Sequence, residues 1–84
     1  MESQINSAKK YILRTSTVVD RRLTMLPQPA ETKHLTLMKD LISSGIALVE
    51  VARVYPDFYV QLLQTCKHLQ SLGQLLTNTN HEHI

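Results

Sequence analysis

From Leu41 to Leu76 an uncharged residue recurs at alternating steps of four and three: Leu41, Gly45, Leu48, Ala52, Tyr55, Tyr59, Leu62, Cys66, Leu69, Gly73 and Leu76. This heptad seam is the spacing that keeps one face of a helix buried. It runs in phase through Pro56, although proline removes a backbone donor and pushes the preceding Tyr55 out of helical conformation. Pro56 and Asp57 suit the first turn of a new helix, where no N–H is needed and a negative charge meets the positive dipole end. The pattern therefore predicts two helices here, over about 30–54 and 56–77. T-N-T-N at 77–80 is the expected stop, and residues 78–84 the expected frayed tail.

Upstream, a 3.6-residue period gathers Ile5, Ala8, Ile12, Thr15, Ser16, Val19, Leu23 and Leu26 on one face. This predicts a first helix over about 3–26, capped by Ser3 and ended by P-Q-P at 27–29. The second helix presents Leu35, Met38, Leu41, Ile42, Gly45, Leu48, Val49 and Ala52, and the third adds Phe58 to its part of the seam. Gly45 costs roughly 1 kcal/mol in mid-helix relative to alanine, so its presence predicts a close approach by another backbone. Three helices of matched length, each ~35 Å, joined by short connections form an antiparallel up-down-up bundle. The alternative reads the seam as one long helix kinked at Pro56 and buried in a swapped oligomer. An interior proline costs ~3 kcal/mol, which favours the break and the all-α three-helix bundle.

Two apolar strips lie outside these core faces: Tyr11, Val18 and Met25 on the first helix, and Ala47, Val51 and Val54 on the second. Ordered apolar strips on a surface mark protein interfaces more often than chance exposure does. Beside the first strip runs a ridge of Lys10, Arg14 and Arg21. Charge is uneven along the chain: five cations against two acids leave residues 1–26 at +3, whereas residues 27–84 carry −1.

The chain of 84 residues has room for one small helical domain, and its 43% apolar content is that of a globular protein. Its single cysteine, Cys66, forms no intramolecular disulfide, which fits a reducing compartment. The uncharged run Leu41–Val49 is nine residues against about 20 for a membrane span, and no apolar leader core precedes it. A soluble cytoplasmic protein is the expectation.

The residues that could carry chemistry are poorly arranged for it. Cys66 is placed on the buried seam, and His68 at i+2 points elsewhere on a helix. His34, His68, His81 and His83 include no pair at the i, i+3 or i, i+4 spacing of a helical metal site. The acids are scattered, and no phosphate loop, nucleophile elbow or cofactor motif is present. The expectation is a non-enzyme with no metal or cofactor: a helical protein–protein interaction module such as an adaptor, chaperone-like escort, regulator or subunit of a larger assembly. The strips would pack against another protein or a second copy of the chain, and Lys10, Arg14 and Arg21 would orient the encounter. The alternative is a small dimeric nucleic-acid-binding regulator that presents the basic first helix. Three cations are few for phosphate binding, and the helix lacks the aromatic anchors of a membrane-surface helix, so both rank behind a protein partner.

Overall fold

The computed structural model describes residues 1–82, with side chains described as far as Leu76. It contains three helices, α1 (Glu2–Leu23), α2 (Pro29–Val54) and α3 (Tyr59–Glu82), and a single 3-10 turn at Pro56–Phe58. All three pack against one another as an all-α bundle. α2 lies against both neighbours over its length, whereas the parallel pair α1 and α3 touch least.

Core formation follows the predicted periodicity. Ile5, Ile12 and Val19, spaced seven residues apart on α1, are fully buried. They meet Leu35, Met38, Ile42, Val49 and Ala52 of α2 and Leu62 and Leu69 of α3. Burying one such side chain contributes about 1.5–3 kcal/mol, so this apolar set supplies most of the drive to fold. No polar or charged residue is buried among the described residues, which spares the core any desolvation cost. Gly45 is buried where all three helices meet: a β-carbon there would lie 2.8 Å from Ile12 Cδ1 of α1 and 3.5 Å from Thr65 Cγ2 of α3. The predicted close approach is real, but it is made by side chains rather than by a second backbone.

Polar contacts pin the helices in register. Asp20 pairs with Lys39 at 3.3 Å and Arg22 with Glu31 at 3.1 Å, both joining α1 to α2. Near the other end Arg53 reaches Glu2, Asn6 Oδ1 at 3.0 Å and Glu50 at 3.2 Å. His34 Nε2–H donates to the Leu72 carbonyl at 2.7 Å, tying the start of α2 to α3.

Several expected boundaries move. α1 starts at Glu2 with Met1, not Ser3, as its cap residue, and the Met1 carbonyl accepts the first helical bond from the Ile5 N–H at 3.0 Å. α1 ends at Leu23 rather than Leu26. Pro27 bars its predecessor from the right-handed helical region, and Leu26 adopts a positive φ of 51°. Leu26 is consequently 91% exposed instead of lying in the core. Thr24 Oγ1 closes the helix by donating to the Arg21 carbonyl at 2.6 Å.

At the second junction Tyr55 is extended, with φ −121° and ψ 91°, and the chain turns back there. The long kinked helix is therefore not formed. Pro56–Phe58 is a 3-10 turn rather than the first α-turn, which leaves Tyr55 and Phe58 exposed and stacked edge to face at 6.3 Å instead of buried. T-N-T-N does not stop α3, whose backbone continues to Glu82, because threonine and asparagine each cost only a few tenths of a kcal/mol in a helix. The rest of the expected frayed tail, residues 83–84, lies outside the described residues.

Candidate helix-docking groove

In an up-down-up bundle α1 and α3 run parallel on either side of α2, and the space between them is closed only where their side chains reach across. Here they do not reach fully. Among its described side chains α3 gives Leu62 and Leu69 to full burial, while Tyr59, Cys66, Gly73 and Leu76 on its α1 side stay half-buried. The result is an open groove along the molecule, divided by Tyr11, whose side chain packs on the core and forms a wall of both halves.

The half nearer the start of α1 is lined by Ser3, Gln4, Ser7 and Ala8 against Tyr59, Leu63 and Cys66, with a volume of about 310 Å³. The other half, about 370 Å³, lies between Thr15, Val18 and Arg22 of α1 and Leu69, Gln70, Gly73, Gln74 and Leu76 of α3, with Leu35 and Met38 as its floor. Gly73 keeps this half wide. A β-carbon there would meet only Met38 Cε, at 3.9 Å, so nothing inside the bundle demands glycine at that point.

Charge around the groove is sorted. The acids of α1, Glu2 and Asp20, turn toward α2, where Arg53 and Lys39 hold them. Lys10, Arg14 and Arg21 are exposed, and no ion pair engages any of them among the described residues. Arg14 and Arg21 lie four residues before and three after Val18, and Lys10 three after Ser7, so this ridge borders the groove on its α1 side. Across the opening, exposed Lys67 follows Leu63 by four residues. Among the described residues no carboxylate lines either half.

The predicted site residues distribute unevenly. Tyr11 and Val18 both face the groove, and Val18 is half exposed. Met25 is not on α1 at all; it lies in the turn that Pro27 forces, 69% exposed and beyond the groove's end. On α2, Ala47 is exposed, Val51 half-buried and Val54 70% exposed, beside the Tyr55–Phe58 pair. The two apolar strips thus occupy separate surfaces. Leu63, Gln70 and Gly73 escaped sequence reasoning as groove residues. Gly73 stood on the seam and Leu63 beside it, and only the separation of α1 from α3 turns them into a wall.

The titratable groups offer little chemistry. Burial pushes the Cys66 thiol above its ordinary value, so it stays protonated at neutral pH and is a weak nucleophile. His68 is exposed, His34 is used as a tie between helices, the His81 side chain lies outside the described set, and His83 lies outside the described residues. Among the described residues no three His, Cys, Asp or Glu side chains gather as metal ligands, and no helix is long and apolar enough to cross a membrane.

The fold and the groove define the class: an all-α three-helix bundle open along one helix pair. No family model, curated protein or solved structure matches the chain.

Proposed function

We propose that the protein is a non-enzymatic helix-binding module of the cytoplasm, an adaptor, escort, regulator or assembly subunit, that receives a helix of another protein between α1 and α3. The observation that carries this reading is the groove itself: an apolar floor between two parallel helices whose walls mix apolar and polar side chains, with Tyr11 at its middle and half-exposed Val18 on its α1 wall. Helix-in-groove recognition uses such surfaces, with anchors of the incoming helix filling successive depressions. The lining of apolar, amide and hydroxyl side chains, with the Arg22 guanidinium at one end, suits packing and pairs no acid with a base among the described residues.

The test is site-specific photo-crosslinking in the cells that make the protein, with a benzophenone amino acid at Val18, at Leu63 or at Gln64 as a control on another side of α3. Discrete protein adducts from Val18 and Leu63 but not Gln64 are expected. The same adducts from all three positions, or none from Val18 and Leu63, would remove the groove from the account.

The exposed cations Lys10, Arg14 and Arg21 favour a second reading, binding of nucleic acid through α1. Salt separates the two, because phosphate contacts weaken steeply with ionic strength and apolar packing does not.

A further inference from the structure

We infer that the occupant of the α1–α3 groove is an amphipathic helix with acidic flanks, running antiparallel to α1 and α3 as the fourth member of the bundle. The inference rests on the helix-binding reading above and adds the chemistry and direction of the partner. Three observations carry it.

Charge is the first. Lys10, Arg14 and Arg21 border the groove on one side and Lys67 on the other, while every described carboxylate of α1 is turned away and held by α2. A helix lying between these rims with Glu or Asp on both flanks meets cations on each side. A helix with basic flanks meets like charge, which is how interfaces exclude wrong partners. A second copy of the chain is poorly matched for the same reason. Its α1 carries the same cations, and Asp40 and Asp57 are its only described acids without an ion pair, seventeen positions apart and on neither α1 nor α3.

Dimensions are the second. The groove runs along α1 from Ser3 to Arg22, a length of about 28 Å, or roughly 19 residues of partner helix. Its two halves lie on opposite sides of Tyr11, and their centres are about 16 Å apart along the axis, which corresponds to anchors near i and i+11. Direction follows from the topology. α1 and α3 run the same way, so an incoming helix is antiparallel to both neighbours only in the direction of α2, which completes up-down-up-down order with opposed dipoles.

Gly73 is the third. Glycine in the body of a helix costs about 1 kcal/mol, and the bundle leaves its β-carbon position facing only the tip of Met38. The open space is on the groove side, where a partner helix could approach the α3 backbone closely.

The experiment uses designed probes with the whole chain: a helical peptide of about 20 residues with Leu and Ile on one face and Glu on both flanks, and its twin with Lys for Glu. Dissociation constants are read by fluorescence anisotropy at low salt, about 50 mM, and at high salt. Occupancy of the groove is read independently as protection of Cys66, which lines it, from alkylation. The Glu-flanked peptide should bind about tenfold more tightly than its twin at low salt. The gap should close as salt rises, and Cys66 should be protected. The triple variant Lys10→Glu, Arg14→Glu, Arg21→Glu alters only exposed side chains and should reverse the preference. Gly73→Leu should weaken both peptides at least tenfold, with helicity unchanged.

Equal binding of the two peptides would overturn the acidic partner and leave the groove reading standing. Binding of neither would overturn both. A single-stranded oligonucleotide that displaces the Glu peptide at matched concentration would assign the cations to phosphate instead. Self-association abolished by Gly73→Leu would make a second copy the occupant.

Discussion

Gly45 and Ile12 are closely packed, because a hydrogen of Gly45 stands where a methyl group would press on a fully buried δ-carbon. Gly45→Ala gains helix propensity of about 1 kcal/mol but forces Ile12 to shift in a full core, an overpacking cost of about 1–3 kcal/mol. The net expectation is a loss of about 1 kcal/mol. Ile12→Val alone should cost about 0.5–1.5 kcal/mol for its cavity. Together they should be better than their sum by about 1 kcal/mol, since valine removes the atom that alanine would strike. Urea titrations of the four proteins measure this coupling, and simple additivity would refute the contact. The glycine advertised a close approach from sequence alone, but nothing in a one-dimensional pattern could say that the δ-carbon of Ile12 fills it.

Cys66 offers a second check at this scale. Burial raises its thiol, so the folded chain holds the proton to higher pH than the unfolded chain does. The sign follows: the stability linked to this group is complete below the unfolded thiol value and is lost as pH rises through the folded one. Alkylation rates against pH should therefore show a midpoint displaced upward in the native protein relative to the urea-unfolded chain. Coincident midpoints would mean that Cys66 is not buried as described.

Among the elements, the two chain reversals are set by proline in different ways. Pro56 was readable as a break because Tyr55 before it and Asp57 after it both favour a new start. The turn at Pro27 was harder to place, since Leu23 and Leu26 continue the apolar period of α1 right up to the proline. The local backbone overrides that period, and Leu26 is left solvent-exposed with positive φ. A left-handed leucine costs about 1–2 kcal/mol, part of which glycine returns by its greater freedom when unfolded. Leu26→Gly should hence stabilise by up to about 1 kcal/mol, read as a rise in Tm, and Leu26→Val should destabilise. A drop in Tm for the glycine variant would show that the leucine side chain is used in the fold after all. α3 illustrates the opposite error of reading: four polar residues of weak helix preference look like a terminus, yet without a glycine or proline the helix simply continues.

On the scale of the molecule, matched helix lengths and short connections made the bundle legible, whereas the identity of its open side was not. What the pattern held was a hint, the extra apolar positions Tyr11 and Val18 on α1, and these do face the gap. Ala47, Val51 and Val54 carried the same hint on α2 and face elsewhere, so the strip pattern alone does not distinguish a groove wall from a convex surface. The sorting of charge was equally hidden, since it depends on α2 drawing Glu2 and Asp20 away from Lys10, Arg14 and Arg21. On the reading proposed above, these features make a bundle that folds alone, is incomplete along one side and carries a rim that repels a second copy. The solution mass tests this most directly, by light scattering across a concentration series at low and high salt. The expected result is a helical monomer of 9.6 kDa throughout, its groove free for a different protein. A dimer that persists at every concentration and dissociates on Gly73→Leu would contradict it, by showing that the groove is already filled by a second copy.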